Sequence, residues 1–420
     1  MEQGGKSLMT SGVTTAFLVA LSIYMLADSF LWSGFNSIVY PLGIQQLVPS
    51  EQVSIVMGVT AFLGVMTGTL TAMVSGFISD RAKFKMGRRR PFIAAGAILV
   101  AVSLLLAGWA TQFALFFASY VLLQIAENIA TGAYFGLLPD LVPTEKTGLA
   151  SGLMSMGQFI GSLLGFVVTG YLAGTGRTDL ALLAEAGVII GAMVLTTVMI
   201  REKPPSKEME RKESQGVLQS FREMPRDLVI LTSSRFFALL GTNVLTFFSL
   251  YYVSDVLGAQ DPEFLVAALG AAVLLVAMLS GIPAGFFSDR VGRKGLAMFS
   301  CLLGAASMTM LAFVSSVPGL IVAGGLLGAC MGIFMTTSLA LSSDLAPAGR
   351  GGTSMGLSNL AMGASQAVSP AAAGVILYFT QDFAWSGKGY RPLFLSSGAY
   401  FLLSVVLMLK VREKKSIKPQ

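Results

Sequence analysis

The chain has 420 residues, of which 54% are hydrophobic and only 12% charged, and its mean hydropathy is +0.74. A soluble domain carries about a quarter charged residues, so this composition excludes an aqueous fold and points to spans of about 20 apolar residues. The net charge of +6 does not indicate nucleic acid, because the basic residues lie in short loops between apolar stretches.

Apolar runs and the charges or turn residues that end them predict twelve spans. They fall at 14–41, 52–79, 91–111, 113–138, 148–174, 180–200, 227–256, 262–288, 294–316, 317–343, 350–380 and 390–410. The tight junctions near Gln112 and Val317 rest on the polar pairs Thr111-Gln112 and Pro318-Gly319. The expected fold is an all-α polytopic membrane protein, with six-helix bundles at 1–200 and 227–420. Residues 201–226, rich in Lys, Arg and Glu and containing Pro204-Pro205, read as the linker between them. The first apolar stretch is long enough to stay in the membrane, and the N-terminus lacks the short apolar core of a signal peptide. Cys301 and Cys330 both sit in apolar segments, so no disulfide framework is expected.

Orientation follows from the basic residues. With both termini cytoplasmic, only Arg177, Lys388 and Arg391 fall outside and Arg235 within a helix; the other Lys and Arg are cytoplasmic. The expected location is a prokaryotic inner membrane with both ends inside.

The halves repeat each other. Gly76-Phe77-Ile78-Ser79-Asp80-Arg81 recurs as Gly285-Phe286-Phe287-Ser288-Asp289-Arg290, and Asp140-Leu141-Val142-Pro143 recurs as Asp344-Leu345-Ala346-Pro347. Gly148 and Gly352 follow those acids at the same interval. Two matches in the same order indicate duplicated halves, a plan used by carriers with a site between repeats.

Charge inside lipid is costly and marks function. Asp28 lies near the middle of the first span and Glu127 near the middle of the fourth, so the two share a depth. A carboxyl in apolar surroundings holds a proton more tightly than in water, and two neighbours compete for one. Glu127 is therefore the main proton candidate and Asp28 its coupling or binding partner; the alternative is a protonated acid bonded between helices. Gln124, Glu127, Asn128, Thr131 and Phe135 make one stripe, while Asp28, Trp32, Phe35 and Asn36 lie on adjoining faces of the first span and Tyr24 extends the line. Amides and a carboxylate beside aromatic rings suit a sugar, and equally an amphipathic drug. Gln158, Asn243, Asn359 and Gln366 either complete the cavity or tie helices together. Arg235 either pairs with a carboxylate or anionic substrate, or snorkels to the interface.

The loops GFISDRAKFKMGRRRPF (76–92) and GFFSDRVGRKG (285–295) resemble the signature loop of the major facilitator superfamily, G-x-x-x-D-R-x-G-R-[KR]. The longer first loop, ending in GRRRPFI, and the segment YFGLLPDLVPTEKTGLASG (134–152) resemble the glycoside–pentoside–hexuronide branch, especially plant sucrose–proton symporters. The resemblance implies a secondary transporter of a sugar, glycoside or similar solute, working by alternating access, with the first and fourth spans facing the cavity. It also assigns a cytoplasmic gate to Gly76, Asp80, Arg81, Gly87, Arg88, Arg89, Arg90 and Asp140, and to Gly285, Asp289, Arg290, Gly292, Arg293 and Asp344. There the acids and arginines would bond helix ends and carboxylates of the neighbouring bundle. Plant sucrose carriers pair an acid in the fourth span with an arginine in the fifth; here the fifth offers Gln158 and no arginine. Melibiose-type carriers bind sodium with acids in the second and fourth spans; the second has none here, which favours a proton.

The chain contains no histidine and no GxxxxGK[ST], so imidazole relays, imidazole metal sites and an ATP-driven pump are not expected. The expectation is a non-enzymatic, proton-coupled symporter without cofactor, partnered by a small solute and the bilayer; the family resemblance further implies a monomer. Rival readings are an exporter of amphipathic compounds or lipids, and a ligand sensor without flux.

Overall fold

The computed structural model describes residues 15–82, 84, 87–137, 141–142, 147–200, 224–345, 351–383, 385 and 387–412. Nearly all of the expected linker therefore lies outside the described residues. Among the described residues the chain is helical with no strand, and twelve helices are long and apolar enough to cross a membrane.

The first span is two helices, α1 (Thr15–Gly34) and α2 (Tyr40–Leu47), joined by a π-helical turn at Phe35–Val39. The sequence reading ends the first span at 41, yet the span runs on to Leu47. The wider turn ahead of Pro41 places the proline in the first turn of α2, where its missing N–H costs little. The remaining spans are α3 (Val53–Arg81), α4 (Arg90–Gly108), α5 (Phe113–Tyr134), α6 (Thr147–Gly174) and α7 (Thr178–Met199) in the first half. In the second they are α8 (Arg226–Asp255), α9 (Pro262–Val291), α10 (Arg293–Phe313), α11 (Val317–Leu345), α12 (Gly351–Thr380) and α13 (Tyr390–Leu409). Pro91 and Pro262 start α4 and α9 where a helix tolerates proline. Gly87 and Gly292, at φ 107° and 100°, turn the two signature loops through a backbone region that side chains disfavour.

The described residues fall into two compact units, those of 15–47 with 63–200, and those of 48–62 with 224–412. The first part of α3 thus packs with the second unit. Glycine makes this possible: a Cβ on Gly58 would lie 2.5 Å from the Pro370 carbonyl oxygen, and one on Gly374 2.5 Å from that of Ser54.

Lipid tails are as apolar as leucine, so helices in a bilayer associate by close packing rather than by escape from water. In the first unit Gly157, Gly161 and Gly165 of α6 face the carbonyls of Ser22, Leu26 and Phe30 of α1. In the second, Gly324, Gly328 and Gly332 of α11 face Leu269, Val273 and Ala277 of α9. Both ladders follow the four-residue period of one helix face. Hydroxyls satisfy carbonyls across other seams: Ser75 to Ile129 at 2.7 Å, Ser307 to Ala323 at 2.7 Å and Ser369 to Leu240 at 2.9 Å. Cys301 and Cys330 are buried free thiols. The core of the first unit gathers Leu21, Tyr24, Ile93, Ala130 and Tyr134 from α1, α4 and α5.

Candidate functional site

Tyr24, Asp28, Trp32 and Asn36 follow at four-residue steps and line one side of the first span. Opposite them, α5 presents Glu127 and Thr131. Two ring systems pin the helices on either side of the acids. Tyr24 stacks on Tyr134 with centroids 4.8 Å apart, and the Tyr134 hydroxyl donates to the Leu21 carbonyl. On the other side Tyr120 stacks on Tyr40 at 4.0 Å and on Phe35 at 6.2 Å.

Between these pins the carboxyls of Asp28 and Glu127 lie against each other, with the Trp32 side chain beside both. Glu127 is 3% exposed. A bond between two carboxyls requires a proton on one of them, since an ionised carboxylate only accepts. Two carboxyls at such a contact can hold one proton between α1 and α5.

Unmet hydrogen-bonding capacity gathers around the pair. Glu127 Oε1, Tyr24 Oη, Thr131 Oγ1, Asn36 Oδ1 and Ser37 Oγ are buried without a hydrogen-bond partner of good geometry. Tyr24 and Thr131 lie side by side without completing a bond. Most buried polar groups are paired, so these atoms carry hydrogen-bonding capacity that the protein itself does not use. Hydroxyls beside an indole and a phenol are the groups a polyol needs.

The other sequence candidates are placed elsewhere. Gln124 Nε2 donates to the Tyr120 hydroxyl at 2.9 Å, and Asn128 Nδ2 to the Gln124 carbonyl at 2.9 Å. Both amides lie against Gly68 of α3, where a Cβ would come within 2.6 Å of Asn128 and 2.7 Å of Gln124. They fill the α3–α5 seam. Phe35 is wholly buried in the ring stack. Gln158 and Gln366 are exposed. Asn243 Nδ2 reaches Ser365 Oγ at 3.2 Å, joining α8 to α12. The Asn359 side chain lies outside the described residues. Arg235 does not snorkel: it is 3% exposed and donates to Ser338 Oγ at 2.5 Å.

At the signature loops, Arg89 is buried over Gly136 and donates to the Ala133 carbonyl at 3.4 Å, while Arg90 donates to that of Thr197. Arg293 donates to the Ala340 carbonyl at 3.1 Å and pairs with Asp344 at 2.6 Å. These bonds lie within the half that carries each arginine. Gly76 and Gly285 pack on Gly132 and Thr336, Arg88 is half-buried and Arg290 is exposed. The side chains of Asp80, Arg81 and Asp289, and the whole of Asp140, lie outside the described residues.

One acid is absent from the sequence candidates. Glu185 of α7 is wholly buried; Thr169 of α6 donates to its Oε1 at 3.1 Å, and Oε2 has no partner. Gly34, where the π-turn begins, packs directly on the pair, and a Cβ there would lie 2.7 Å from Oε1. The rule that singles out Asp28 and Glu127, a lone acid in an apolar run, applies equally to LLAEAGVII. Among the described residues no three His, Cys, Asp or Glu side chains gather as metal ligands.

Comparison with known proteins extends this picture. The chain is 25% identical over 276 residues to the general alpha-glucoside permease of Schizosaccharomyces pombe, covering 57% of this chain and 48% of that one. It is 27% identical over 180 residues to the sucrose transport protein SUC4 of Arabidopsis thaliana, covering 38% of this chain and 34% of the other. It is 26% identical over 249 residues to the multidrug resistance protein MdtG of Serratia proteamaculans, covering 59% and 60%. The chain thus spans about half or less of the length of the first two relatives. In fold it is similar to the crystal structure of a D-xylose-proton symporter, with a TM-score of 0.74 at 15% identity over 95% of this chain and 98% of that one. The sequence model of the Major Facilitator Superfamily matches residues 8–279 and 231–420, and the chain belongs to that family.

Proposed function

We propose that this chain is a secondary active transporter working by alternating access, which couples proton movement to uptake of a sugar, glycoside or similar small organic solute. The observation that carries this reading is the buried contact of Asp28 with Glu127, with Trp32 beside both carboxyls and unpartnered polar atoms nearby. A proton on the pair closes the α1–α5 contact; its departure leaves the carboxylates to repel each other and frees Trp32 to reorient. Solute hydroxyls meet Glu127 Oε1, Asn36 and Thr131, and the indole receives the C–H face of the ring. Proton occupancy and solute occupancy thereby act on the same side chains. The permease and sucrose-transport relatives support the solute class.

The same reading takes the proton as coupling ion in preference to sodium, because the second span carries no intramembrane acid. It places both termini in the cytoplasm on the distribution of the basic residues, a prokaryotic inner membrane on the short loops, and a monomer on the family resemblance. Nucleic acid is not a partner. A second reading, export of amphipathic compounds by antiport on the same pair, is favoured by the similarity to MdtG.

The test is solute-driven proton movement in proteoliposomes, with a panel of sugars and glycosides and a second panel of amphipathic cations and lipids. External alkalinisation on adding one sugar supports symport. Proton movement with members of the second panel alone replaces uptake by export.

A further inference from the structure

Arg235 stands in the first third of α8, with 3% of its surface exposed. Its guanidinium carries five N–H donors and does not shed its charge. Nη1 donates to Ser338 Oγ, and Nε has no partner. The ion pairs formed among the described residues of this unit are Arg293–Asp344 and Lys388–Asp255, and neither involves Arg235. A cation taken out of water is stabilised only by an opposite charge and by satisfied hydrogen bonds. A single neutral hydroxyl supplies neither in full.

The surroundings point to what does. Ser342 lies one turn along α11 from Ser338 on the same face, and meets Ser358 of α12 at 3.4 Å. All three serines are buried. A guanidinium fork beside hydroxyl donors is the donor set that recognises a carboxylate or phosphate-type oxyanion. We propose that Arg235 and Ser338, with Ser342 and Ser358 behind them, form an anion site in the second unit. The anionic group comes either from a free small ion or from an acidic group on the solute; the chemistry is the same. This site goes beyond the proton-coupled reading, and its failure leaves that reading standing, because the test reads stability and not flux.

The experiment is thermal unfolding of the purified full chain in detergent at constant ionic strength. A bulky sulfonate buffer anion is exchanged for acetate or inorganic phosphate, and D-glucuronate is compared with neutral D-glucose. The parent should show a saturable rise in Tm with at least one of these anions and none with D-glucose. The rise should vanish in Arg235→Gln, shrink in Arg235→Lys, and need several-fold more anion in Ser338→Ala. A rise with acetate or phosphate assigns a free ion; a rise with D-glucuronate alone assigns the acidic group of a solute. The site is overturned if no anion raises the parent's Tm saturably, or if the rise persists in Arg235→Gln. Should Arg235→Gln fail to fold, Arg235→Lys and Ser338→Ala decide: an unchanged anion response in both also overturns it.

Discussion

The carboxyl of Asp28 on α1 lies against that of Glu127 on α5, with Trp32 beside both. The contact joins the first and the fourth of the six spans of the first half. The tie sits between two aromatic pins, so its making and breaking acts locally and does not have to hold the bundle together.

Trp32 should matter through its N–H as well as its ring. Trp32→Phe keeps an aromatic face and removes the N–H donor beside the two acids. A net hydrogen bond is worth about 0.5–1.5 kcal/mol, so solute affinity should fall roughly 2–10-fold. Trp32→Ala, which also loses the stacking plate, should fall further. Unchanged affinity in Trp32→Phe, measured by equilibrium binding, would show that the donor contributes nothing; equal losses in both variants would show that the ring does not.

Glu185 should behave as a packing group that needs an acceptor and not a charge. Glu185→Gln keeps a carbonyl oxygen for the Thr169 hydroxyl and should cost less than about 1 kcal/mol. Glu185→Ala opens a hole and strands that hydroxyl, at about 2–4 kcal/mol. Thermal unfolding in detergent ranks the two; a Gln variant as damaged as the Ala variant would assign Glu185 a charged role instead.

Close packing of α6 on α1 leaves no room for a methyl group. Gly161→Ala drives its Cβ into the Leu26 carbonyl oxygen, and overpacking of this kind costs about 1–3 kcal/mol or more. Gly187, which has nothing within 4 Å, is the control, and alanine there should be neutral or stabilising by up to about 1 kcal/mol. Similar melting temperatures for both variants would remove the ladder from the list of stabilising features.

Much of this arrangement is legible in the sequence, for reasons that differ from residue to residue. Asp28 and Glu127 stand out because a charge in an apolar run is rare, and Tyr24, Trp32 and Asn36 because a four-residue step fixes a helix face. Gln124 and Asn128 share that stripe with Glu127, yet their amides fill the seam against Gly68. An amide in an apolar helix reads the same whether it meets a ligand or a neighbouring glycine. The π-turn is not legible, since Pro41-Leu42-Gly43 carries the same signals as a helix end. Glu185 is legible by the rule used for the other acids, and its partner Thr169 is not, because hydroxyls in spans commonly bond their own helix.

The two loop arginines should differ in weight. Arg89 is 5% exposed over Gly136, whereas the Arg293–Asp344 pair is part-exposed, with side-chain exposures of 27% and 41%. Screened pairs contribute about 0.2–1 kcal/mol, while emptying a buried polar position costs about 1–3 kcal/mol. Arg89→Gln should therefore lower the unfolding temperature more than Asp344→Asn; the reverse order would place the stabilising loop contact in the second half.

The most direct test of the proton pair is Glu127→Gln in proteoliposomes loaded with a transported solute, measured in two modes. Gln is close to the protonated acid in shape and cannot release a proton. Solute exchange at equal concentrations should persist at a rate comparable to the parent, because it needs no change in proton occupancy. Accumulation driven by a proton gradient should be lost, and the dependence of uptake on pH should flatten. A variant that still accumulates solute on a proton gradient would contradict the assignment of the coupling proton to Glu127.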